Sequence, residues 1–113
     1  MAELADEVGL MAEKGYDAAW SGRIDEALEA LRMSLELFEK LGQPLRAARV
    51  IMNIGLVDQS IGDTVSAIEH HARALEIYET HGDAGGMAAA IGNMGVSYKN
   101  LGDMPRAMEC YQR

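Results

Sequence analysis

Residues Ala88 to Arg113 repeat Ala48 to Arg73 at a distance of 40. Without a gap, the two segments share Ala48/Ala88, Ile51/Ile91, Asn53/Asn93, Gly55/Gly95, Gly62/Gly102, Asp63/Asp103, Ala67/Ala107, Glu69/Glu109 and Arg73/Arg113. That is nine identities in 26 positions, several times chance. A second step of 40 relates Gly15, Gly22, Ala27, Glu29, Leu35, Glu36, Glu39 and Gly42 to Gly55, Gly62, Ala67, Glu69, Leu75, Glu76, Glu79 and Gly82. A fixed period of this size is the signature of a solenoid, in which one supersecondary unit is copied and stacked on itself. The period predicts repeats over residues 4–43, 44–83 and 84–113, the last of them incomplete.

Within each unit the pattern is helical. Leu4, Val8, Met11 and Gly15 form a stripe over an expected first helix from about Glu3 to Ala19. Ile24, Ala27, Leu28, Leu31, Leu35 and Phe38 line one face of a second, about Ile24 to Leu41, with Asp25, Glu29, Arg32, Glu36 and Glu39 outside. A third, about Pro44 to Ile61, carries Ala47, Val50, Ile51, Ile54, Val57 and Ile61. A fourth, about Thr64 to Thr80, carries Val65, Ile68, Ala72, Leu75 and Tyr78. A fifth runs from about Ala84 to Leu101, and a sixth begins at Gly102-Asp103 with Pro105 in its first turn. Gly closes a helix in the left-handed conformation, and the Asp after it caps the next. Gly55 and Gly95 recur at one register inside helices, where Gly costs roughly 0.5–1 kcal/mol against Ala, so close packing on a neighbouring helix is expected. No strand pattern is present. Short turns between helices of about 17 residues make consecutive helices antiparallel neighbours. The fold class expected is all-α: a right-handed α-solenoid of about six helices in antiparallel pairs.

Bulk composition narrows the function. At 113 residues the chain is one domain, and its 49% hydrophobic and 25% charged residues are an ordinary globular balance. A net charge of −8 argues against nucleic acid or an anionic membrane as partner. Cys110 is the only cysteine, so there is no intrachain disulfide and no cysteine-based metal cluster. Glu3, Asp6, Glu7 and Glu13 exclude a secretory signal, and no uncharged apolar run approaches a bilayer span. These features make a cytoplasmic location the expectation, with no cofactor.

The residues carry a family resemblance. Ile91-Gly92-Asn93-Met94-Gly95-Val96-Ser97-Tyr98, followed by Gly102, Ala107 and Tyr111, resembles the tetratricopeptide repeat. Repeat two supplies Ile51, Ile54, Gly55, Gly62, Ala67 and Ala74, but has Asp58 where Tyr is usual and His71 where an aromatic is usual. Repeat one keeps Gly15, Gly22 and Ala27, with Lys14 at an apolar position. The period of 40, with Asn two residues before the Gly, is similar to the long-repeat subclass of kinesin light chains, spindle-orientation adaptors and bacterial peptide-sensing regulators. The resemblance implies a non-catalytic module that binds a peptide or helix of a protein partner in a concave groove lined by the first helix of each repeat. Carried over by position, the groove residues are Tyr16, Ala19, Trp20, Arg49, Met52, Asn53, Leu56, Gln59, Ala89, Asn93, Val96, Lys99 and Asn100. Asn53 and Asn93 are the leading contacts, since an amide offers both a donor and an acceptor to a peptide unit. Leu56 and Val96 stand where a chaperone-tail clamp needs Asn, so that ligand is not expected.

Each of these side chains also has a structural reading. Asn53 and Asn93 can bond a neighbouring helix. Trp20 is a partner anchor or, more simply, a cap on the core of repeat one. His70-His71 is a packed His71 beside a solvated His70, because adjacent helical residues point apart and His81 is off the zinc spacing. Cys110 is a small apolar residue, and Glu29, Glu36 and Glu39 are a solvated face. No nucleophile elbow, triad or phosphate loop occurs, so no enzyme is expected. The alternative to peptide binding is self-association. The sixth helix is about half the length of its counterparts and no polar cap follows it. The chain is then a piece of something longer, or a second copy covers exposed Met104, Met108 and Tyr111 as a homodimer.

Overall fold

The computed structural model describes residues 2–113. It contains six α-helices: α1 Ala2–Trp20, α2 Ile24–Lys40, α3 Pro44–Ser60, α4 Thr64–Thr80, α5 Ala84–Asn100 and α6 Met104–Gln112. Among the described residues there is no strand. The expected boundaries hold to within a residue or so, because the stop signals are strong. At Gly22, Gly42, Gly62, Gly82 and Gly102 φ lies between +66° and +85°, a region that a β-carbon makes costly. The residue after each Gly closes the turn; Asp63 N–H donates to the Asp58 carbonyl at 2.9 Å and Asp103 N–H to the Tyr98 carbonyl at 2.9 Å. Asp63, Asp83 and Asp103 then accept from the backbone N–H of Ser66 (3.3 Å), Gly86 (2.9 Å) and Arg106 (3.2 Å), which caps α4, α5 and α6.

Consecutive helices pack on each other all along the chain, while α1 touches α3 and α3 touches α5. The first helices of the three hairpins thus form one layer and the second helices the other. The Cα trace spans 43 × 34 × 16 Å, which is two helices thick. One apolar cluster joins repeats one and two, with Phe38, Leu31, Val50, Ile54 and Val57 at its centre. A second joins repeats two and three through Ile51, Leu75, Tyr78 and Ala90.

The glycine register works through rings rather than through backbone contact. A β-carbon on Gly55 would stand 2.7 Å from the His71 ring, and one on Gly95 would stand 2.6 Å from the Tyr111 ring. At the same register in repeat one, a β-carbon on Gly15 would meet Ala30 at 2.8 Å.

Several apolar residues lie elsewhere than their pattern implied. Leu4, Ile61 and Val65 are exposed. The inward stripe of α1 is Ala5, Val8, Ala12, Gly15 and Ala18, so Leu4 is turned outward and Met11 is only half-buried. Ile61 is the C-cap of α3 and Val65 sits in the first turn of α4, so both lie at helix ends. Lys14 is exposed, whereas its counterpart Ile54 packs against repeat one. Solvent-facing repeats carry polar residues at such positions.

Candidate functional site

The layer formed by α1, α3 and α5 carries the expected groove residues, except that Ala19 turns inward and is buried in the core. On α1, Tyr16 and Trp20 meet edge to face with ring centroids 5.7 Å apart. Trp20 is 59% exposed, so it does not cap the core of repeat one; Ala18 and Ala19 do that. On α3, Arg49 is exposed and Met52, Asn53, Leu56 and Gln59 are half-buried. On α5, Ala89, Val96, Lys99 and Asn100 are exposed and Asn93 is half-buried.

The groove residues do not all stand free. Gln59 accepts a hydrogen bond from the Ser97 hydroxyl at 2.9 Å, so it ties α3 to α5. Asn93 places its amide nitrogen 4.0 Å from the Met52 sulfur, a weak contact that leaves the amide oxygen unengaged. Asn53 lies in a cleft between α1 and α3 of about 300 Å³, lined by Glu13, Tyr16, Asp17, Arg46, Arg49 and Val50 among others. Arg46 is held there by Asp6 at 3.1 Å. The face thus has a polar, charged half on α1 and α3 and a more apolar half at Met52, Leu56 and Val96.

Titratable groups cluster elsewhere, at the α3–α4 contact. His70 is half-buried and its Nδ1 lies 2.7 Å from the Asp58 carboxylate, so it is not the free solvent residue expected. Burial pushes the Asp58 carboxyl up from its usual value, while His70 pulls it back in part. His71 is fully buried against Gly55, and neither ring nitrogen has a hydrogen-bond partner. Burial, with His70 second, lowers its pKa to about 4, so the imidazole is neutral at pH 7. Asp58 stands where repeat three has Tyr98, whose ring carries the Arg106 guanidinium 5.9 Å from its centroid, and His70 stands where repeat three has Cys110. Departure of Asp58 and His71 from their repeat positions was the one signal available in the sequence for this cluster. Cys110 is buried and burial raises its thiol pKa, which makes it a poor nucleophile. Among the described residues no group of three His, Cys, Asp or Glu side chains could hold a metal ion, and no helix is long and apolar enough to cross a membrane.

Three stacked helical hairpins with one open layer of first helices define a helical-repeat solenoid. A sequence model of the tetratricopeptide repeat matches residues 7–80 and again 46–113, and the chain belongs to that family. Domains of this family generally mediate protein–protein interactions and are typically non-catalytic. Among solved structures, the TPR domain of Arabidopsis FLU superposes with a TM-score of 0.85 at 22% identity, covering 96% of this chain and 92% of that one. At that identity the likeness shows the fold alone. BtubC (BKLC) from P. vanneervenii superposes with a TM-score of 0.79 at 25% identity, covering 99% of this chain and 50% of that one, so this chain spans half of its length. No curated protein matches the chain.

Proposed function

We propose that this chain is a non-catalytic interaction module that holds a peptide or helix of a protein partner along the α1–α3–α5 face. What carries the reading is the open face itself. Trp20 and Val96 are exposed there, and Asn53 and Asn93 recur one repeat apart with hydrogen-bonding capacity to spare. Partners bound this way are recognised through backbone contacts to the amides and side-chain contacts to Met52, Leu56 and Val96. Nucleic acid and membrane fit poorly with a chain of net charge −8, and a cytoplasmic setting suits the single buried thiol. The test is substitution of Asn53 and Asn93 by Ala. Binding should weaken about tenfold, for two lost hydrogen bonds of roughly 0.5–1.5 kcal/mol each, with the melting temperature unchanged. Undiminished binding would count against the reading.

A second reading is favoured by one observation. Met104, Met108 and Tyr111 on α6 are 47%, 53% and 55% exposed. Of the three, Tyr111 borders a cleft lined by Met87, Ala88, Ile91 and Cys110. Such a patch suits a second copy of the chain. Light scattering over a range of concentration tests it: Met104→Glu with Met108→Glu should abolish any dimer. Tyr111 is not the residue to change, because its ring packs on Gly95.

A further inference from the structure

The charge of the solenoid is graded along its length. Residues 1–43 hold ten acidic and four basic side chains, a net charge of −6, while residues 84–113 hold two acidic and three basic, a net charge of +1. On the groove face the same gradient runs from Glu13 and Asp17 on α1 to Lys99 on α5. Residues 13, 16, 17 and 20 are spaced i, i+3, i+4 and i+7, which places Glu13, Tyr16, Asp17 and Trp20 on one side of α1. Glu13, Tyr16 and Asp17 all border the 300 Å³ cleft. Among the described residues neither carboxylate has an ion-pair partner within 4.0 Å. Arg46 and Arg49 line the same cleft, but Arg46 is paired with Asp6 at 3.1 Å, and Arg49 alone does not balance two acids. The one cation over an aromatic ring among the described residues is Arg106 on Tyr98, so the Trp20 and Tyr16 rings are free to take one.

From this arrangement, and resting on the groove reading above, we infer that the α1 side of the groove is a subsite for an arginine side chain of the partner. Arginine is the cation that fits. Its planar guanidinium stacks on an indole and its fork suits carboxylates at the plane's edge, whereas a lysine offers a point charge. The subsite fixes the direction of the bound segment. Its basic residue lies over repeat one and its apolar residues over Met52, Leu56 and Val96. Any acidic residue lies toward Lys99. The same electrostatics exclude segments with an acidic residue at the repeat-one end.

The experiment is selection of a displayed random dodecapeptide library against the wild-type domain and three variants: Trp20→Leu, Glu13→Gln with Asp17→Asn, and Asn53→Ala with Asn93→Ala. Circular dichroism checks that each is folded. The expected result is a pool of wild-type binders, lost on the Asn variant, enriched in arginine toward one end. That enrichment should vanish in selections on the Trp20 and carboxylate variants. A chosen binder should quench or shift the emission of Trp20, the chain's single tryptophan. It should lose about tenfold in affinity when its arginine becomes citrulline, and weaken as salt is raised. Binders that depend on the Asn pair yet show no arginine enrichment, or keep it on the variants, would overturn the subsite and leave the groove standing. No binders, or binders indifferent to the Asn pair, would overturn the groove and the subsite together.

Discussion

Acid should unfold this protein through His71, and removing that one imidazole should remove the effect. The ring is fully buried beneath Gly55, with no partner for either nitrogen. Its pKa falls from 6.5 to about 4. A base whose folded pKa is depressed takes up a proton in the unfolded state first. Between pH 6.5 and about 4 the unfolded chain therefore holds one more proton at this site, and stability drops as pH falls. The slope is up to about 1.4 kcal/mol per pH unit, and the full shift of 2.5 units is worth about 3 kcal/mol. That is a large share of a small domain's roughly 5–15 kcal/mol. Asp58 acts in the opposite sense, because its raised pKa makes the folded state the better proton acceptor as pH falls toward 3.8. The comparison must therefore be with a variant that keeps the Asp58–His70 pair. His71→Phe does so, placing an aromatic where repeat three has Tyr111. Urea unfolding followed by circular dichroism at pH 7.5, 6.5, 5.5 and 4.5 measures both proteins. At pH 7.5 the two should lie within about 1–2 kcal/mol, since the phenyl ring is larger than the imidazole but removes two unpaired polar atoms. By pH 4.5 the variant should be ahead by a further 2–3 kcal/mol or so. Parallel curves would show that His71 is reached by water or protonated in place, and the reasoning from burial would fail.

Other substitutions probe the repeat register and its joints. Gly55→Ala and Gly95→Ala should each destabilise by about 1–3 kcal/mol in thermal melts, because the new methyl enters the His71 or Tyr111 ring. Gly92→Ala, which meets nothing within 4 Å, should gain up to about 1 kcal/mol from helix propensity. Loss of the cap in Asp83→Ala should cost about 1 kcal/mol in urea unfolding. Ser97→Ala leaves the Gln59 carbonyl without its partner between α3 and α5, and should cost roughly 1 kcal/mol.

Helix number, order and ends were legible in the sequence because their signals are local. Each Gly sits at a positive φ that other residues avoid, and the Asp after Gly62, Gly82 and Gly102 caps the next helix. Side-chain placement was less legible where packing decides it. In α1 the inward face is built of alanines, which carry little periodic signal, so Leu4 was read inward although it faces water. Trp20 was read as a partner anchor or, more simply, as a cap on the core of repeat one, and it stands exposed beside Tyr16 instead of capping. Burial of Asp58, and its bond to His70 rather than a solvated His70, depends on how α3 meets α4, a contact between residues 12 apart. The sequence marked that site only by departure from the repeat pattern. Gln59 was read as a free groove contact because nothing local shows that Ser97, 38 residues on, will claim it.

The central claim is that partners bind on the α1–α3–α5 layer. The most direct test is an amide chemical-shift map of the isotope-labelled protein, titrated with a peptide selected from the random library. Shifts confined to residues around Tyr16, Trp20, Asn53, Leu56, Asn93 and Val96 are the expected result. Shifts centred on the outer faces of α2 and α4, or on Met104 and Met108 alone, would contradict it.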